Sequence, residues 1–180
     1  MGVPDRRRRA GVTEEATVAA QIGRPLRAPS RVVATCHLSM PVVVAVPPIL
    51  DDGTPFPTRY WLTCPLAVIR IGRLEGAGGV KRMEAKAHAD PSFGEALAAA
   101  HRRYAIERDA LVPSDAGPRP SGGVGGTDRG VKCLHAHYAD FAAGNENPVG
   151  ALVASWIGPL DCTEPCVIAG EANPEWSPKP

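Results

Sequence analysis

The residues best suited to chemistry lie together at positions 131–138, which spell Val-Lys-Cys-Leu-His-Ala-His-Tyr. This stretch supplies one thiol, Cys133, and two imidazoles, His135 and His137. Thiolates and imidazoles bind zinc, and they also act as nucleophile and base in enzymes. A glycine-rich loop at 122–126 precedes the stretch, and loops often carry function. We therefore expect the functional site of this chain here.

Metal binding is the first chemistry that this stretch could support. On a helix, Cys133 and His137 share a face, whereas His135 lies nearly opposite on the apolar stripe. One histidine is then a ligand or catalyst, and the other is packed and hydrogen-bonded. Zinc takes about four ligands, and the Cys-x3-Cys pair near the C-terminus could supply the others. The candidate zinc ligands, not all acting together, are Cys133, His135, His137, Cys162 and Cys166. Buried, inert cysteine is the alternative.

Thiol catalysis is the second chemistry. Cys133 lies near a predicted helix N-terminus, with Arg129 and Lys132 close in sequence, and the helix dipole and both cations would favour the thiolate. His137 is the candidate base, and backbone amides of the glycine loop could stabilise an oxyanion. The chain carries no signature of a known cysteine hydrolase. Metal binding and thiol chemistry therefore both stay open.

The glycine loop is also a candidate anion site. Successive amides before a helix N-terminus can form a nest for phosphate, although the Gly-x4-Gly-Lys-Ser/Thr pattern of a P-loop is absent. A mobile connector is the alternative. The candidate ligand-binding residues are Gly125, Gly126, Arg129, Lys132 and Asn147. The second hypothesis is therefore a non-catalytic binding module for a phosphate-bearing small molecule or a partner protein.

Helix-capping residues, helix-breaking residues and the periodicity of apolar residues predict the helices and strands around these candidates. Thr13 begins a helix that ends at Gly23, and Asp90-Pro91 begins another that fades near Leu111. Strands are predicted at 31–35, 42–46, 59–64 and 67–71, and further helices at 128–143 and 147–157. Cys64 and Arg70 have the spacing of cysteine phosphatases, but the residues between them are predicted to form a buried strand, so we reject that function. The order predicts an α+β fold, a small, mostly antiparallel sheet packed with about four helices in a single domain.

Composition sets the limits of the domain and excludes some partners. Residues 1–12, with an arginine run, are expected to be disordered, 13–168 to form the domain, and 169–180 to be a frayed, proline-rich tail. No apolar stretch is long enough for a membrane span. Nucleic acid is not expected as a partner, because no aromatic or further basic stripe accompanies the arginines. With no apolar signal segment, the five cysteines predict a reduced, cytoplasmic setting.

Two long motifs resemble a known family. The first is Asp-Gly-Thr-Pro-Phe-Pro-Thr at 52–58 with Tyr-Trp-Leu-Thr-Cys-Pro at 60–65. The second runs from 131 to 139 and continues with Gly144 and Asn-Pro-Val-Gly at 147–150. Together they resemble the bacterial domain-of-unknown-function family 501. The resemblance implies a bacterial, cytosolic protein and no particular activity. In actinobacteria, members resemble gene neighbours of a septum-formation protein and an exopolyphosphatase-like enzyme, which implies a link to polyphosphate or cell-division physiology.

Overall fold

A computed structural model describes residues 13–178, which form one α+β domain. The helices and strands, in chain order, are α1 (Glu14–Ile22), β1 (Arg31–Thr35), β2 (Pro41–Ala45), β3 (Tyr60–Leu62), α2 (Pro65–Gly76), α3 (Gly79–Ala89), α4 (Pro91–Asp109), α5 (Leu134–Ala142), α6 (Pro148–Ile157), β4 (Val167–Ile168) and β5 (Glu171–Ala172). The predicted fold class is confirmed. The arginine run lies outside the described residues.

The main sheet is antiparallel, with β2 between β1 and β3. Val43 pairs with Leu62, and both enter the main core with the buried faces of α2, α4, α5 and α6. Val44 points to the other face, where a smaller core includes Val18 of α1. Because both faces are covered, every residue of β2 is buried, which explains its unbroken apolar sequence.

The strand predicted at 67–71 is wrong, because these residues lie in α2. Pro65 takes the first helical position after Cys64, where its missing N–H is tolerated. Leu66, Ala67 and Ile71 then form the buried face. The rejection of a cysteine phosphatase stands for another reason. Cys64 is buried, and the residues that follow it are helical instead of forming a phosphate-binding loop.

The start of α5 also differs from the prediction. The helix begins at Leu134 instead of near Asp128. Gly130 has a left-handed backbone with φ of 68°, and Cys133 is extended with φ of −152° and ψ of 121°. Cys133 is therefore the N-cap residue of α5 and not part of its helical turns.

The helices on either side of this region begin where the sequence predicts. The Asp90 side chain accepts a hydrogen bond from the Phe93 amide at the start of α4, and the Asn147 side chain accepts one from the Gly150 amide at the start of α6. The segment expected to be frayed contributes β5, which pairs with β4, and Asn173 beside it is buried.

Candidate functional site

Three potential metal ligands converge where α2 meets the start of α5. The Cys133 Sγ lies 3.8 Å from His135 Nδ1, and this nitrogen lies 3.3 Å from Glu75 Oε1. The three ligand atoms all lie within 4.8 Å of one another. Within residues 13–178, no other three His, Cys, Asp or Glu side chains approach one another this closely. We call Glu75, Cys133 and His135 the Glu–Cys–His cluster.

Local structure places each member of the cluster. Cys133 is the N-cap of α5 and His135 is in its first turn, whereas Glu75 lies near the C-terminal end of α2. Glu75 Oε1 accepts a hydrogen bond of 2.6 Å from the Leu134 amide. A carboxylate at a helix N-terminus satisfies a free amide and complements the helix dipole. Glu75 therefore fixes α5 to α2 and presents the same oxygen to His135.

A backbone carbonyl fixes the orientation of the His135 ring. Its Nε2 lies 3.1 Å from the Val68 carbonyl oxygen, which can only accept a hydrogen bond, so Nε2 carries a proton. In the neutral ring, Nδ1 then presents its lone pair to the Cys133 sulfur and the Glu75 carboxylate. Ligand histidines in metal sites are commonly held this way, with the other ring nitrogen donating to a carbonyl or carboxylate. The arrangement favours a cation at Nδ1, either a proton or a metal ion.

The surroundings of His135 also favour positive charge. Partial burial disfavours the imidazolium, but the hydrogen bonds with Cys133 and Val68 and the negative charge of Glu75 outweigh burial. The result is a His135 pKa raised to about 9. Without a metal, Nδ1 therefore also carries a proton at neutral pH, and the ring is positively charged.

A cavity of about 600 Å³ opens beside the cluster. Cys133 and His135 line it, whereas Glu75 does not. Much of the remaining wall is apolar and comes from β3, α2 and α5, and residues at the end of α1 complete it. Its members include Tyr60, Trp61, Val68, Ile69 and Ala136. Cavities of this size and character are typical of small-molecule sites. The cluster therefore borders a space that can hold a ligand.

His137, the expected partner of Cys133, lies in the core. Its side chain is fully buried, its Nδ1 lies 3.1 Å from Asn147 Oδ1, and its ring packs edge-on against His101. Burial lowers its pKa to about 4, so the ring is neutral. Of the two histidines, His137 is therefore the packed one, and His135 is the one whose ring lies beside the Cys133 sulfur. Because Cys133 is extended, helical spacing does not bring it to His137.

Asn147, expected to bind a ligand, belongs to a buried polar network. Asp140 is fully buried and accepts hydrogen bonds from Arg103 at 2.5 Å, Asn147 at 2.9 Å and Asn145 at 3.1 Å. Asn147 also caps α6 and contacts His137. These contacts give Asn147 a structural part in joining α5 to α6.

The glycine loop is anchored by its own hydrogen bonds. The amides of Gly123, Val124 and Gly126 donate to Thr127 O, His101 Nδ1 and Gly123 O, respectively. These three amides are therefore not free to hold phosphate. Gly125 lines the cavity, whereas the Arg129 and Lys132 side chains are exposed. The loop borders the ligand space but does not present a continuous row of free amides to it.

Cys162 and Cys166 belong to a separate region. They surround a small cavity with Cys36 and Cys64, beside Trp176. The Trp176 indole N–H donates to the Cys162 sulfur at 3.5 Å, and the Gln21 amide donates to the Cys166 sulfur at 3.3 Å. We call Cys36, Cys64, Cys162 and Cys166 the four-cysteine group. They do not line the cavity beside Cys133.

Comparison with known proteins identifies the family. The model for a protein family of unknown function, DUF501, matches residues 32–155, which is most of the chain. The chain belongs to the DUF501 family. No curated protein and no solved structure gives a significant match. The region of this DUF501 protein that matches contains all three members of the Glu–Cys–His cluster, whereas Cys162 and Cys166 lie beyond it.

Among residues 13–178, no helix is both long and apolar enough to cross a bilayer.

Sequence reasoning missed Glu75. The residue lies on a helix that was partly predicted as a strand, and nothing in its local sequence marks it as a ligand. Cys133 and His135 were both candidate ligands, but their pairing follows only when Cys133 is placed at the cap of α5.

Proposed function

We propose that the Glu–Cys–His cluster binds one zinc ion through Glu75 Oε1, Cys133 Sγ and His135 Nδ1. The convergence of these three atoms, with His135 oriented by the Val68 carbonyl, carries the proposal. Sites with three protein ligands and one open position are typical of catalytic zinc, whereas structural zinc takes four protein ligands. A molecule in the cavity lined by Cys133 and His135 would lie beside an ion held by the cluster. The protein is then a metal-dependent enzyme that acts on a small molecule.

Thiol chemistry at Cys133 is the second candidate function. The 3.8 Å contact with an imidazole whose pKa is raised to about 9 favours it. In this alternative, His135 supplies the cation that stabilises a thiolate, and the substrate occupies the same cavity. In this alternative, His135 and not His137 is the imidazole that pairs with Cys133.

The broader setting of the protein is also a proposal. We infer a cytoplasmic protein, because the five cysteines are all free. That the protein is bacterial rests on the family resemblance. A non-catalytic module for a phosphate-bearing ligand or a partner protein would use the exposed Arg129 and Lys132 side chains. A link to polyphosphate or cell-division physiology rests on the family resemblance alone.

Elemental mass spectrometry on untagged protein, purified without chelators, tests the zinc proposal. We expect near-stoichiometric zinc in the wild type and in the control Cys162→Ser. Zinc should be lost in Cys133→Ser and strongly reduced in Glu75→Gln, because each removes a ligand. If the wild type holds no zinc and Cys133 is alkylated rapidly at neutral pH, the zinc proposal is wrong and thiol chemistry takes its place.

A further inference from the structure

The cavity beside the cluster contains a buried hydroxyl that has no hydrogen-bond partner within residues 13–178. Thr63 is 2% exposed, it lines the cavity, and its Oγ1 makes no hydrogen bond among the described residues. Gln21 also lines the cavity, and its buried Oε1 likewise has no hydrogen-bond partner in the described part of the chain. Buried polar groups are almost always hydrogen-bonded, because an unpaired group loses its interactions with water without replacement. These two atoms therefore indicate a polar ligand.

An arginine that forms no ion pair with any described carboxylate lies at the same cavity. Arg24 follows the left-handed C-cap Gly23 of α1, and its guanidinium lies 5.8 Å from the centre of the Trp61 ring. Its one hydrogen bond within residues 13–178 goes to the Pro25 carbonyl oxygen, and no carboxylate there forms an ion pair with it. An arginine fork is well matched to a carboxylate or phosphate group.

The rest of the cavity excludes a fully polar ligand. Tyr60 and Trp61 from β3 and Val68 and Ile69 from α2 supply aromatic and aliphatic surface. A ligand that covers these side chains must carry an apolar body. Its charged group must be negative, because Arg24 is the charged side chain on the wall away from the cluster.

We propose that the cavity binds a small organic carboxylate with an apolar body. Its carboxylate pairs with Arg24, its apolar part covers the walls from β3 and α2, and a polar group on the body meets the Thr63 hydroxyl. This placement brings the molecule beside Cys133 and His135. The inference rests on the proposed function, because it names the class of molecule on which the cluster acts.

Binding of decanoate, compared with decanol, tests the inference. Both probes share the same chain, but only decanoate carries a charge. Titration calorimetry on chelator-treated wild type, Arg24→Gln and Arg31→Gln measures the affinities. Arg31 is the matched control, because it is exposed on β1 and does not line the cavity. Slower alkylation of Cys133 by iodoacetamide in the presence of decanoate reports where the probe binds.

We expect decanoate to bind the wild type about tenfold or more tightly than decanol, as a charge-assisted hydrogen bond would give. Arg24→Gln should remove this preference, Arg31→Gln should retain it, and decanoate should slow the alkylation of Cys133. Equal affinities for the two probes, no binding of either, or an unchanged preference in Arg24→Gln would overturn the inference. Zinc content, measured on the same preparations before chelation, shows separately whether the proposed metal function fails.

Discussion

Replacing Gly150 by alanine should destabilise the protein, because Gly150 of α6 lies directly against the backbone of α5. A Cβ added there would lie 3.0 Å from the His137 carbonyl carbon, and closer still to the carbonyl oxygen and to the Phe141 Cβ. None of these atoms is the flexible end of a side chain, so the two helices would have to separate. The substitution therefore tests the packing that holds α5 in place.

The size of the effect follows from two opposing contributions. Overpacking a close contact costs about 1–3 kcal/mol, and contact with backbone atoms favours the upper end of that range. Alanine also favours the helix over glycine by about 1 kcal/mol. The net loss should be about 2 kcal/mol, which lowers the melting temperature by about 4–8 °C in a domain of this size.

Urea denaturation of the wild type and two variants measures this effect. Gly72→Ala is the matched control, because Gly72 is exposed in α2 and a Cβ there meets no atom within 4 Å. The control should gain up to about 1 kcal/mol in unfolding free energy from helix propensity. A gain in stability for Gly150→Ala would refute the reasoning, because it would show that α5 and α6 do not touch there.

Two further predictions concern the buried histidines. Because the folded-state pKa of His137 is lowered to about 4 from the ordinary 6.5, its contribution to stability, up to about 3 kcal/mol, is present above pH 6.5 and is lost as the pH falls towards 4. His137→Leu should flatten the unfolding free energy over this pH window in urea titrations, and an unchanged slope would contradict the assignment. His101→Ala should release the glycine loop, because His101 accepts from the Val124 amide and contacts the Gly130 carbonyl oxygen. Limited proteolysis should then cut within 121–130 faster than in the wild type, and an unchanged rate would show that other contacts hold the loop.

The sequence predicts the elements whose ends carry local signals. Thr13, Asp90 and Asn147 each cap a helix as expected, since a side-chain oxygen that accepts from a helix amide acts over three residues. The valine-rich runs form β1 and β2 because β-branched side chains favour strands, which is also a local preference. By contrast, the apolar stretch after Pro65 is short and suits a buried strand as well as a buried helix. Tertiary packing makes it helical.

The candidate site could be predicted only in part. Cys133 and His135 are two positions apart in the sequence, and the sequence singled out both. Their pairing depends on the extended backbone at Cys133, which helical periodicity cannot show. Glu75 is brought to them by the packing of α2 on α5, a contact between residues far apart in the chain. A site assembled from distant elements leaves no spacing pattern for sequence analysis to find.

X-ray absorption at the zinc edge tests whether the Glu–Cys–His cluster binds zinc, because it counts the ligands of the bound ion. Binding by Glu75, Cys133 and His135 predicts one sulfur at about 2.3 Å, with nitrogen and oxygen neighbours at about 2.0–2.2 Å. Cys133→Ser should remove the sulfur contribution together with most of the zinc. A spectrum with four sulfur ligands would place the ion at the four-cysteine group instead, and would contradict zinc binding by the Glu–Cys–His cluster.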